Sequence, residues 1–464
     1  MSRQLAIQPS RLRRSPPPKR LMWPSAGALL TVLLASSGSL VACSTAGVGS
    51  LNLDGVPTAA AAGSTLDLTV RLQGAEPGTD VKIEVLAGGG SLSATTLSFD
   101  EGGSQSLAWT LGLAPVPQRL RIYVVGENDE VQAEARFLVD ATRTTPLSAE
   151  EFGDVHTALT AAKRDGSTED LAFSPSGDAI VLGLAGGLAK VSVDGKTSLL
   201  PTTGDAIEQA LGVAYDAEGR LWICDANGHA LRRMSKTGVV STIVASDEGA
   251  PLGKPNHLAV LPNGDVVFSD PCLGRLLLVD GSSGAVKARH SFDLATEGGP
   301  NGVALSPDGA TLFVTTENTA LVCGHAATVP LTKNIAGLFK LDISATGFGA
   351  RQTVVAGIGL FGDGLAFDAE GNLYVCLDRI KDLKLESSAV EVLPKDGTAL
   401  RPFLQATDRV LANVLFGSSS FGATHLYIAL LTVPTFTDDT KRGLMRIDVG
   451  IPGLALGHQR AVTP

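Results

Sequence analysis

The chain has 464 residues, with 37 Lys and Arg against 47 Asp and Glu, a net charge of −10, and 44% hydrophobic residues. That length exceeds one ordinary domain and is ample for a sizeable core. The acidic balance excludes a nucleic-acid-binding surface and a polybasic membrane contact as organising features.

The first 42 residues carry Arg3, Arg11, Arg13, Arg14, Lys19 and Arg20, no acid, and an apolar stretch densest from Ala28 to Leu34. This is the layout of a secretory signal, and it is shorter than the about 20 apolar residues of a membrane span. Leu40-Val41-Ala42-Cys43 resembles a bacterial lipobox. The resemblance implies cleavage before Cys43, a lipid on its thiol, and a place in the bacterial cell envelope facing the periplasm or the cell surface. Six of the 37 basic residues lie in the leader, leaving 31 against 47 acids, net −16. Membrane attachment would therefore come from the lipid and not from charge.

Residues 43–63, rich in Gly, Ala, Ser and Thr, read as a lipidated tether. From 64 to 142, alternating runs such as Leu66-Asp67-Leu68-Thr69-Val70-Arg71-Leu72 and Leu120-Arg121-Ile122-Tyr123-Val124-Val125 are broken by Gly-rich turns. They predict a small immunoglobulin-like β-sandwich. Nothing in it carries chemistry, and with no aromatic cluster to suggest a binding face it is expected to act as a spacer. A linker over 143–165 follows.

Residues 166–464 repeat. The phrases Glu169-Asp170-Leu171-Ala172-Phe173, Leu211-Gly212-Val213-Ala214-Tyr215, Asn256-His257-Leu258-Ala259-Val260, Asn301-Gly302-Val303-Ala304-Leu305, Asp363-Gly364-Leu365-Ala366-Phe367 and Ala412-Asn413-Val414-Leu415-Phe416 start 42, 45, 45, 62 and 49 residues apart. The long fourth unit holds an insertion near 318–334. Each phrase leads to a turn, as at Asn263-Gly264 and Asp308-Gly309, and then to further short strands. Four short strands per unit, six times, predict an all-β chain whose main body is a six-bladed β-propeller.

The leading column of the repeat reads Glu169, Leu211, Asn256, Asn301, Asp363, Ala412. In a closed ring its four polar members aim at one axis. Two carboxylates there would repel and, desolvated, would recover their protons. A divalent cation removes both problems. With no sulfur or imidazole in the column, calcium is preferred, although another divalent ion is possible. Beyond Cys43, Cys224 and Cys376 fall in opposite blades, too far apart to bridge. Cys272 and Cys323, in adjacent units, could pair or remain buried thiols.

Lys254-Pro255-Asn256, Gly299-Pro300-Asn301-Gly302 with Ser306-Pro307-Asp308-Gly309, and Asp363-Gly364-Leu365-Ala366-Phe367-Asp368 resemble the senescence marker protein, gluconolactonase and luciferin-regenerating enzyme family. The resemblance runs over about 165–450 and is strongest from 250 to 376. It implies a six-bladed propeller with a channel calcium held by Glu169, Asn301 and Asp363. It also implies that Asn256 binds substrate or completes the metal shell, and that Asp363 is the general base. Lys254 would add positive charge at the channel mouth. This chain departs from the family at Lys254, where Arg is frequent, at His257, where Asp is frequent, and at Asp170 after the Glu. Since Arg and Lys are not equivalent toward a planar carboxylate, a sugar-acid lactone is placed in doubt. By alternation, His257 is expected to point away from the axis.

The leading expectation is a calcium-dependent hydrolase of a small ester, a lactone, acting as a monomer. The alternatives are a non-catalytic lipid-anchored propeller that binds a protein or glycan, or a phosphotriesterase or strictosidine-synthase-like activity. Glu169-Asp170 with Gly183 and Gly186-Gly187, and Gly249-Ala250-Pro251-Leu252, resemble strictosidine-synthase-like propellers.

Overall fold

The computed structural model describes residues 49–126, 128–164, 168–325, 333–381, 384–431 and 443–455. The expected signal segment and Cys43 lie outside the described residues. Two all-β bodies follow one another.

The first is a sandwich. One sheet joins Ser50–Asp54, Thr65–Gln73, Gly103–Leu111 and Gly90–Leu92; the other joins Ala59–Ala61, Val131–Thr142, Pro117–Val125, Thr79–Ala87 and Thr96–Phe99. Alternate residues turn inward, as period-two strands require: Leu68, Val70 and Leu72 from one sheet meet Val81, Ile83, Leu120, Ile122 and Val124 from the other around Trp109. Each such side chain contributes about 1.5–3 kcal/mol on full burial. The segment read as a tether is partly structural. Ser50–Asp54 pairs antiparallel with Thr65–Gln73, and Ala59–Ala61 pairs parallel with the end of Val131–Thr142. The alternation in Leu51-Asn52-Leu53, with both leucines fully buried, explains why.

The second body is the six-bladed propeller. Blades one to five run from the axis outward in chain order. Their innermost strands are Leu171–Phe173, Ala210–Tyr215, Leu258–Val260, Gly299–Leu305 and Phe361–Phe367. Blade six has Val410–Phe416, His425–Leu431 and Gly443–Asp448, and its outer strand is Glu150–Phe152. Residues 143–165 are therefore more than a linker: an early strand closes the ring on the last blade. Phe152 meets Tyr427 edge-on at 5.2 Å and Phe421 at 6.2 Å, and Phe173 of blade one joins the same group. Edge-to-face aromatic packing of this kind adds to the pairing that holds the seam. In the inner hairpins Gly264 and Gly309 take φ of 84° and 73°, which is why Asn-Gly and Asp-Gly stand at those turns.

The sandwich is docked onto the propeller. Ala114 and Val116 lie in the core shared by blades five and six, beside Phe403 and Phe416. Arg401 pairs with Asp140 at 2.6 Å, and the Gly88 N–H donates to both carboxylate oxygens of Glu370, at 3.0 and 2.9 Å. A simple spacer has no use for a buried contact of this kind.

Candidate active site in the propeller channel

The innermost strands open with an irregularity that sets the site. At Ala210/Val213, Pro300/Val303, Gly362/Leu365 and Leu411/Asn413 the pairing shifts, so two residues of the inner strand stand against one of the next. Blade three does the same: the Asn256 N–H donates to the Ser269 carbonyl and the Ser269 N–H to the His257 carbonyl. A bulge re-aims side chains that strict alternation would send to opposite faces. Both residues of each pair can therefore serve the channel, giving a leading layer and a following layer.

In the leading layer, Asn256 Nδ2 donates to Glu169 Oε1 at 2.8 Å across two blades. Asn256, Asn301 and Asp363 are 5%, 3% and 6% exposed. Leu211 and Ala412 complete the column as buried apolar positions. Burial pushes Glu169 up to about 7, with Asp170 adding repulsion and the Asn256 hydrogen bond opposing the rise. Burial also raises Asp363 far above the usual carboxylate range, and the charges of Glu169, Asp378 and Glu317 raise it further. The structure thus brings Glu169, Asn256 and Asp363 into one electrostatic neighbourhood. Asn301 Oδ1 is buried there without a hydrogen-bond partner.

Two further acids of this neighbourhood, Glu317 and Asp378, were not singled out from the sequence. Both are 3% exposed, and each keeps one carboxylate oxygen unpartnered. Burial raises Glu317 to about 8, helped by Glu169 and opposed by Asn301 and Lys254, and it raises Asp378 to about 7. Glu317 ends the second strand of blade four, Thr311–Glu317, and Asp378 lies within the second strand of blade five, Leu373–Lys381, both outside the repeated phrase. The signal that could have found them is an acid two residues after the position of Thr315 and Cys376 in blades four and five, where blades two and three, with Ala226 and Pro271, have none.

Lys254 reaches the same region. Its ammonium donates to the Val322 carbonyl at 3.1 Å and exerts its charge on Glu317. Val322 belongs to the insertion of the fourth unit. There a Cys272–Cys323 disulfide ties blade three to the segment after Thr319–Val322, while Cys224 and Cys376 are buried free thiols.

The following layer corrects the expectation for His257. Its Nε2 lies 2.9 Å from Asn413 Nδ2 of the opposite blade and 3.6 Å from Asp170 Oδ2, and its Nδ1 accepts the Val303 N–H at 3.1 Å. A side chain that meets the opposite blade points inward, because the bulge at Asn256-His257 breaks the alternation. Asp170 also accepts the Leu171 N–H at 2.7 Å, the Val213 N–H at 2.6 Å and the Asn413 amide. The remaining members of this layer include Gly302 and Gly364. A Cβ on Gly302 would lie 2.3 Å from the Asp363 carbonyl, and one on Gly364 1.8 Å from Asn413 Oδ1. Beyond this belt the channel widens into a cavity of about 160 Å³ lined by apolar residues such as Leu258, Leu305 and Phe367.

Among the described residues no three His, Cys, Asp or Glu side chains form a ready-made metal cage. The donors of the leading layer are instead mixed, carboxylates with amides. They suit a hard cation: the buried Asp363 and the half-buried Glu169, whose charges repel, and an amide oxygen with nothing to bind.

Comparison with known proteins gives a family match over residues 191–432, more than half the chain, described as the SMP-30/Gluconolactonase/LRE-like region. A gluconolactonase of Zymomonas mobilis is 24% identical over 226 residues, covering 44% of this chain and 57% of that relative. Of solved structures, a gluconolactonase from Xanthomonas campestris is 19% identical, covers 62% of this chain and 87% of its own, and has a TM-score of 0.46. A calcium-binding regucalcin from Agrobacterium tumefaciens is 19% identical, covers 63% and 95%, and has a TM-score of 0.42.

Proposed function

Because the chain belongs to the SMP-30/gluconolactonase/LRE-like family, we propose that it is a calcium-dependent hydrolase of a small ester, a lactone, acting in the propeller channel. The observation that carries this reading is the leading layer itself, where the buried Asp363 stands against the charge of the half-buried Glu169 beside the unpartnered Asn301 Oδ1. Glu169, Asn301 and Asp363 would hold the ion, with Asn256 completing its shell or meeting substrate. When bound, calcium would supply polarisation of the ester carbonyl and charge compensation for the carboxylates.

The chain's own residues account for the rest. Asp363 would accept the proton of the attacking water and return it to the alkoxide as the ring C–O bond breaks. The Asn256 amide would orient a substrate oxygen, and the Lys254 ammonium would add positive charge at the mouth. The lipid anchor at Cys43 and an envelope location belong to the same proposal.

The test is hydrolysis of a panel of lactones and phosphotriesters by the purified protein, in calcium and then in excess EDTA. Calcium-dependent lactone turnover that Asp363→Asn removes, with the fold intact, is the expected result. Calcium-independent turnover, or turnover of the phosphotriesters alone, contradicts the reading.

A further inference from the structure

Cys272 lies in the single turn Pro271–Leu273 after the second strand of blade three, and Cys323 closes the single turn Thr319–Val322 after the second strand of blade four. Their disulfide is the one formed among the described residues. The two turns meet over the start of Gly299–Leu305, two residues before Asn301: a Cβ on Gly299 would lie 2.4 Å from the Pro271 carbonyl and 2.6 Å from Thr319 Cγ2. The first turn is fixed at its root. Asp270 is fully buried, accepts the Gly253 and Lys254 N–H groups, both at 2.9 Å, and pairs with Arg275 at 3.3 Å. The second turn is anchored at its start, where the Asn318 N–H donates to the Leu360 carbonyl at 2.9 Å and Asn318 Oδ1 accepts the Ala320 N–H at 3.0 Å. Its far end, Val322-Cys323, is tied across to blade three by the disulfide.

Lys254 touches both turns. Asp270, two residues before Cys272, holds its backbone N–H, and the carbonyl of Val322, one residue before Cys323, holds its ammonium at 3.1 Å. The disulfide therefore closes a ring that runs from the Lys254 backbone through Asp270, Cys272, Cys323 and Val322 back to the Lys254 ammonium. A lysine stem is long and flexible, so the place of its charge is decided by what holds the far end.

We propose that the Cys272–Cys323 disulfide is a positioning element for Lys254. By fixing the Val322 carbonyl it sets the ammonium at the channel mouth, two residues along the chain from Asn256. The inference rests on the reading of Lys254 as a substrate contact and extends it to the covalent bond behind that contact.

Competitive acylation of the purified protein with N-hydroxysuccinimidyl acetate, read at Lys254 by mass spectrometry, tests the positioning without any turnover. Cys272→Ser combined with Cys323→Ser is expected to raise labelling of Lys254 about three- to tenfold, the worth of one released hydrogen bond, while the other lysines keep their rates. In lactone hydrolysis the same variant should raise KM about three- to fivefold with kcat little changed, and Lys254→Met added to it should raise KM no further. If the doubly substituted protein does not fold, the parent treated with a water-soluble phosphine replaces it. The phosphine becomes its oxide with oxygen from water, and the two protons pass to Cys272 and Cys323 as their S–S bond opens to thiols. Unchanged labelling of Lys254 would overturn the proposal. So would a parent-like KM without the disulfide, or KM losses from the disulfide and from Lys254 that multiply. If the parent hydrolyses no lactone, the functional reading falls and the labelling alone decides this inference.

Discussion

The leading and following layers of the channel lie one residue apart on the same strands, yet they are satisfied very differently. The following layer is closed upon itself: Asp170 takes two backbone N–H groups and the Asn413 amide, and His257 accepts the Val303 N–H at Nδ1 while its Nε2 faces Asp170 and Asn413. The leading layer holds carboxylates raised by burial and mutual repulsion, and an amide oxygen with no partner. A buried polar group left unsatisfied costs about 1–3 kcal/mol. A fold that tolerates this in one layer and avoids it in the next marks the first as the place for a ligand and the second as the brace that holds the ring.

The comparison predicts opposite consequences for substitutions in the two layers. The largest effect is expected at Asp363: Asp363→Asn should lower lactone turnover by about 10²–10⁴-fold, the usual contribution of a general base, while circular dichroism stays unchanged. Next is Asp170→Ala in the brace. It strands the Val213 N–H and the Asn413 amide, and should cost about 3 kcal/mol in urea unfolding. A stability loss at Asp363→Asn larger than at Asp170→Ala would erase the distinction.

A pH dependence follows from the same contrast. Glu169 and Asp378 are raised to about 7 and Glu317 to about 8, from ordinary values of 4.5, 3.8 and 4.5. Below the ordinary values, folded and unfolded chains both keep these protons. As pH rises toward 8 the unfolded chain has released them while the folded chain resists, so metal-free stability should fall across roughly pH 4.5–8. Melting in EDTA at pH 5, 6.5 and 8 checks this, and a flat or rising profile would contradict it. The smallest effect is expected at Lys254→Met: a rise in KM of about three- to fivefold with kcat little changed, the size of one partly exposed charge contact.

Much of this was legible in the sequence because a propeller writes the same phrase into every blade. The alignment of Glu169, Asn256, Asn301 and Asp363 in one column is such a repeated signal. Features that depend on pairing between distant segments were not legible. Glu150–Phe152 is three residues long, too short to show a period, and becomes a strand only because Gly443–Asp448 is there to receive it. Glu317 and Asp378 sit outside the repeated phrase, one register position beyond Asp225 and Asp270 of blades two and three, so no column of the repeat announces them. His257 was misplaced because alternation fails at a bulge, and bulges are not written in residue type.

The central claim is that the leading layer holds a cation and the following layer does not. The most direct test is the calcium-induced change in melting temperature at pH 8 for the parent protein, Asp363→Asn and Asn413→Leu. The account predicts a rise for the parent and for Asn413→Leu, from a lower starting point, and none for Asp363→Asn. No rise in the parent, or an equal rise in all three, would contradict it.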